Sequence, residues 1–156
     1  MTFSISRAAL ALLCAWQLGA TAALAQGADA GDQRDGTIKT VQGDVTVVRG
    51  DARAAAIVGG PLRATDRIQT GADSAVAIVL KDGSVLSVGP GSVVDLSDFS
   101  FDTTTQEGGM LVNVLRGTVR LATGLIAKLK PEQVKVTTPT TVIGVRGTDF
   151  IVEENP

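Results

Sequence analysis

Three short stretches of this 156-residue chain place charged side chains where chemistry or docking could follow. In TTPTTVIGVRGTDFIV, Arg146 and Asp149 flank Gly147 and Thr148 inside an otherwise apolar, β-branched run. Buried charges persist when they are paired. The run therefore predicts an internal ion pair across a four-residue turn, with Thr148 hydrogen-bonding the backbone. The competing reading makes Arg146 a docking arginine. Arg49, Gly50 and Asp51 spell an adhesive tripeptide. A glycine turn between a base and an acid arises often in strand-rich chains, so a strand end is expected there. Asp95, Asp98 and Asp102 offer carboxylate oxygens to a hard cation, but their spacing fits neither an EF-hand loop nor a calcium-binding nonapeptide. That stretch reads as an exposed acidic turn, and no metal or other cofactor is expected.

What the chain lacks narrows the chemistry further. It has no His and no Tyr, and its one Cys and one Trp, Cys14 and Trp16, lie in the first 25 residues. Those residues, MTFSISRAALALLCAWQLGATAALA, carry a single charge at Arg7, an apolar run and a small-x-small ending at Ala23, Leu24 and Ala25. This is the pattern of a cleaved signal peptide, with cleavage near Ala25 and a periplasmic or secreted product. Gln17 and Gly19 interrupt the run, which falls short of the roughly 20 apolar residues that span a bilayer. Cys14 follows the bulky Leu12 and Leu13, so no lipid anchor is expected, and the membrane is met only through the transient signal peptide.

Without thiol or imidazole, the exported chain has no Cys/His or Ser/His/Asp nucleophile and no zinc site of the nitrogen and sulfur kind. Neither a Gly-x-Ser-x-Gly elbow nor a Ser-x-x-Lys pattern occurs. The chain is read as no enzyme. Its formal charge of −2 and scattered basic residues give no phosphate-tracking stripe, so nucleic acid is not an expected partner.

Residues 26–36, QGADAGDQRDG, read as a flexible leader, and a β domain is expected over 37–156. From Thr37 onward, glycines recur between short runs rich in Val, Ile, Leu and Thr, which is an all-β pattern. In SAVAIVLKDGSVLSV two such runs flank Asp82 and Gly83, predicting a hairpin with a two-residue type I′ turn. Its first arm is apolar at both parities, so it should be central and covered on both faces. Residues 123–133 are the one place where a helical turn competes with strand, with Pro131 ending it. VQGDVTV (41–47), LRGTVRL (115–121) and VRGTDFI (145–151) share apolar-x-Gly-x-x-x-apolar. The short strands could stack as a solenoid-like or a sandwich-like domain. Phe99 and Phe101 alternate with polar residues and should pack one face of a strand.

The order of segments resembles the FecR domain: GDVTVVRG, then LRATDRIQTGADSAVAIVLKDGSVLSVGPGSVVDL, then LVNVLRGTVRL, then VTTPTTVIGVRGTDFIVE. The resemblance runs from about Val41 to Val152. Its most specific parts are Thr70 to Gly83 and the closing run 138–150. FecR proteins proper are inner-membrane regulators in iron uptake, with a sigma-factor-controlling segment, one membrane helix and a periplasmic part that senses a TonB-dependent receptor. Only about seven residues precede the hydrophobic run here, so direct sigma-factor control is not expected. The resemblance implies an exported, non-enzymatic binding or regulatory module of the cell envelope with a protein partner. Two alternatives stand beside it: a self-assembling β-rich scaffold that pairs through its carboxyl-terminal edge as a homo-oligomer, and a periplasmic sensor tied to TonB-dependent iron uptake.

Overall fold

The structure, a computed structural model, describes residues 34–146 and 149–155. The expected signal peptide (1–25), most of the leader, and Gly147 and Thr148 lie outside the described residues.

The short valine-rich runs become strands that pair into one curled, almost wholly antiparallel sheet with two halves. One half runs β4 (Pro61–Leu62), β1 (Gly36–Gln42), β6 (Ala75–Leu80), β7 (Val85–Val88), β9 (Gly108–Ala122), β12 (Asp149–Glu154). The other runs β3 (Ala52–Ala55), β2 (Val45–Arg49), β5 (Arg67–Thr70), β8 (Val93–Phe101), β9, β10 (Val134–Thr137), β11 (Val142–Gly144). The long β9 belongs to both. Only its pairing with β10 is parallel.

Several of the changes between halves fall at glycines, whereas the one from β4 to β5, over residues 63–66, has none. The chain crosses at Gly43 between β1 and β2, at Gly71 between β5 and β6, at Gly89 to Gly91 between β7 and β8, and at Gly117 within β9. These crossings lie side by side along one seam. Asp44 N–H donates to Ser74 Oγ at 2.8 Å, Gly71 N–H to the Asp44 carbonyl at 2.9 Å, and Gly91 N–H to the Gly71 carbonyl at 2.8 Å. Thr70 Oγ1 donates to the Gly89 carbonyl at 2.6 Å, and Gly89 N–H reaches the Thr118 carbonyl at 2.8 Å. Gly117 shows why glycine is needed: its φ is +90°, and a Cβ there would lie 2.2 Å from Ser92 Oγ.

The first two of the three similar heptads have one physical meaning. Residues 41–47 and 115–121 are bent where the chain crosses between halves. The centre of the third, Gly147 and Thr148, lies outside the described residues. The all-β class holds, but the first two units are corners of bent strands and do not stack as coils. Their neighbours along the seam pair antiparallel, and the inward faces share one core.

Alternation fills that core. Val76, Ile78 and Leu80 of β6, Leu86 and Val88 of β7, Val94, Leu96 and Phe99 of β8, and Met110, Val112 and Val114 of β9 are all buried. Phe101 packs against the same cluster. As the sequence suggested, β6 is central, held between β1 and β7. It is fully buried on one face only, because Ala75, Ala77 and Val79 remain half-buried.

The β6–β7 hairpin forms, but its turn differs from the expected type. Leu80 and Ser84 enclose a three-residue loop, with Gly83 N–H on the Leu80 carbonyl at 3.0 Å. Gly83 has φ +83°, whereas Asp82 does not share the positive φ that type I′ requires. Tertiary packing selects this loop. The buried Asp82 carboxylate accepts Ser84 N–H and Oγ–H, while Gly124 N–H donates to Ser84 Oγ and Leu125 N–H to the Asp82 carbonyl. The competing helical turn at 123–133 is real: α1 (Leu125–Leu129) buries Ile126, and a 3-10 turn follows over Pro131–Gln133.

Candidate functional site

Strand register places one residue from each of seven strands in a row across the outward face of the β3-to-β11 half. The row reads Arg53, Val48, Arg67, Asp95, Asn113, Thr137, Val142. Arg67 and Asp95 are direct cross-strand partners and bind in bidentate fashion, Nε to Oδ1 at 2.6 Å and Nη2 to Oδ2 at 2.8 Å. Such planar pairing is what guanidinium and carboxylate geometry favours. The Asp95 hydrogen bond holds the Arg67 guanidinium above its ordinary range, which leaves it charged at every working pH. Asn113 continues the row: its Nδ2 donates to Ser97 Oγ at 2.6 Å, and its Oδ1 accepts from Thr137 Oγ1.

Next to this row lies a shallow depression of about 430 Å³ lined by Val48, Gly50, Thr65, Arg67, Asp95 and Ser97. Thr65 has φ +74°, a left-handed conformation that is costly for a β-branched residue. Two bonds hold it there: Thr65 N–H to the Leu96 carbonyl at 2.6 Å, and Leu96 N–H to the Asp66 carbonyl at 3.0 Å. Behind it the Asp66 side chain is fully buried and takes two hydrogen bonds from Arg49 and one from Arg63 N–H. The strained residue thus stands between two bidentate arginine–carboxylate pairs. Left-handed β-branched residues concentrate at functional sites, where surrounding structure can hold the strain. The depression can hold polar or charged groups of both signs.

The residues singled out from sequence are placed differently. Arg146 is exposed, and Asp149 pairs with Arg120 across β9 and β12, with Nε to Oδ1 at 3.0 Å. The register explains the exchange: Asp149 lies opposite Ala122 and Ile151 opposite Arg120, so Asp149 and Arg120 are diagonal neighbours on one face. Gly147 and Thr148 lie outside the described residues. Asp82 and Gly83 serve the buried turn described above. In the adhesive-like tripeptide, Arg49 is committed to Asp66, while Asp51 is exposed. Asp95 belongs to Arg67. Asp102 accepts Thr104 and Thr105 N–H at 2.7 and 2.9 Å, and these bonds hold its carboxyl below the ordinary range. Among the described residues, no group of three His, Cys, Asp or Glu is placed to hold a metal.

Sequence reading passed over Asp66, Arg67 and Asn113. A signal existed for the first two: an Asp-Arg doublet opening an alternating strand, ATDRIQT, sets one charge inward and the next outward. Their partners are 17 and 28 residues away and depend on sheet order.

A protein-family model with the description FecR protein matches residues 66–156. No curated protein and no solved structure matches the chain.

Proposed function

The chain belongs to the FecR family, and on that premise we propose that it is an exported, non-enzymatic binding or regulatory module of the cell envelope. The observation that carries the reading is the outward row Arg67–Asp95–Asn113–Thr137 beside the strained Thr65. It is a preorganised polar surface on rigid strands, suited to holding a protein partner. Thr70, Gly71 and Ser74 are spent on the seam and Asp82 and Ser84 on the buried turn, so none of these takes part in this face. The absence of His and Tyr, and the confinement of Cys14 to the apolar leader, support binding over catalysis. An export route through residues 1–25 fits an envelope setting.

Cross-linking capture from an envelope extract tests it. Wild-type protein should retain a protein that Arg67→Ala together with Asn113→Ala loses. Identical capture by both, or steady substrate turnover by the purified chain, would overturn the proposal. Cell fractionation should place the chain outside the cytoplasm.

A further inference from the structure

Four strands end the sheet among the described residues, each hydrogen-bonded on one side only: β4, β11, β3 and β12. Open edges invite another strand unless they are blunted. β4 is two residues long and starts at Pro61, and β11 is three residues long and ends at Gly144. β3 and β12 are not blunted in this way. β3 is four exposed residues, ARAA, in unbroken register, and β12 is six residues, DFIVEE, also without a bulge.

The two edges differ in charge. On β12, Asp149, Ile151 and Glu153 share the outward face, and Ile151 is 65% exposed. On β3 the one charge is Arg53, among alanines. Two β12 strands meeting antiparallel about Ile151 would set Asp149 opposite Glu153 of the second copy, twice, and like charges directly opposite destabilise a pair. Two β3 strands centred on Arg53 would set that arginine opposite itself. A β3 against a β12 has no such conflict. With Arg53 opposite Glu153, the antiparallel register also sets Ala55 opposite Ile151, Ala54 opposite Val152 and Ala52 opposite Glu154. Every residue of β3 is then paired, and alanines face the branched side chains. Ile57 and Val58, 66% and 65% exposed, follow β3 after Ala56 and offer more apolar surface.

We propose that β3 of one copy adds to β12 of another, joining this chain to itself head to tail through the Arg53–Glu153 register. Because the two edges are different surfaces, the joint is heterologous and can add copies in series. It does not depend on the envelope-binding reading, which is tested at Arg67 and Asn113, further along the row that Arg53 ends.

Sedimentation velocity of the full chain over a wide concentration series reads the association directly. Mass should grow with concentration beyond a dimer. Arg53→Glu and Glu153→Arg should each weaken association by about ten-fold or more, with melting unchanged because both side chains are exposed. Mixing the two single variants should restore association in series, because the Arg53→Glu chain keeps Glu153 for the other chain's Arg53, and the remaining two edges meet with their charges exchanged. A strict monomer at every concentration, association that both variants leave intact, or a mixture that stays monomeric would each overturn the proposal.

Discussion

Arg49 sets its Nε and Nη2 on the two carboxylate oxygens of Asp66, each at 2.7 Å, across 17 residues of sequence. Asp66 is completely buried, whereas the Arg49 side chain is 39% exposed. The pair thus seals one end of the core with its charged surface outward, and the carboxylate also fixes Arg63 N–H. Removing the acid leaves the N–H without its acceptor and the cation without its partner. Asp66→Ala and Arg49→Ala are each expected to cost about 3 kcal/mol, the first by leaving the Arg63 N–H without its acceptor and the second by leaving a buried carboxylate without its cation. Arg146→Ala, at an exposed position, should stay within about 0.5 kcal/mol. Urea unfolding of the three variants checks the order.

Thr65 offers a change of opposite sign. Its side chain is exposed and its φ is +74°, so glycine removes strain without removing packing. The gain is partly offset by the greater freedom of glycine in the unfolded chain. Thr65→Gly is expected to stabilise by roughly 0.5–1 kcal/mol. If the strain shapes the depression for a partner, the same variant should weaken capture while raising the melting temperature. That opposition would separate function from stability.

Gly117 is the corner at which β9 passes from one half of the sheet to the other. A methyl group there would meet Ser92 Oγ at 2.2 Å and Ser92 Cα at 2.6 Å, in a backbone conformation that L side chains avoid. Ser92 is itself fixed, accepting Thr118 N–H on Oγ at 3.1 Å and giving its own N–H to Thr70 Oγ1 at 2.9 Å. Clash and strain add, so Gly117→Ala should cost about 3 kcal/mol or more. Gly50→Ala, where a Cβ would meet nothing within 4 Å, carries the φ penalty alone and should cost about 1 kcal/mol. Thermal melting of the two variants side by side isolates the contribution of the seam.

How much of this was legible in the sequence depends on range. Two β-favouring runs around Asp82 and Gly83 exposed the hairpin, because strand propensity and turn residues are local properties. The turn type was misread, because Asp82 is held by Ser84 while Gly124 and Leu125, some 40 residues on, pack over the loop. The glycine heptads were visible as a repeat, but only sheet order reveals the first two as corners. Charge pairing was the least legible. Arg146 and Asp149 are neighbours in sequence, yet β9 supplies Arg120 to the acid, and a pairing inferred from adjacency cannot anticipate a strand 29 residues away. The row through Arg67, Asp95 and Asn113 was hidden for the same reason.

The Arg120–Asp149 contact also makes the edge strand sensitive to acid. Chiefly through the hydrogen bond from Arg120, with burial opposing, the Asp149 carboxyl is held below its ordinary value of about 3.9. A depressed folded value means the contact is fully present above the unfolded pKa and is lost as pH falls through the lower folded one. The Arg120 guanidinium, pushed up by the same bond, stays charged throughout that window. At neutral pH β12 is therefore clamped at its first residue, and the clamp releases at a pH below that ordinary value. Both side chains are exposed, so global stability should move little. The signal should appear locally, as faster amide exchange at Phe150 and Ile151 below that pH while β6 amides stay protected. Arg120→Ala should raise the Asp149 carboxyl pKa, read by carboxyl NMR titration, and produce the fast exchange already at neutral pH. An Asp149 that titrates at its ordinary value in the wild-type chain would show that the clamp does not form in solution.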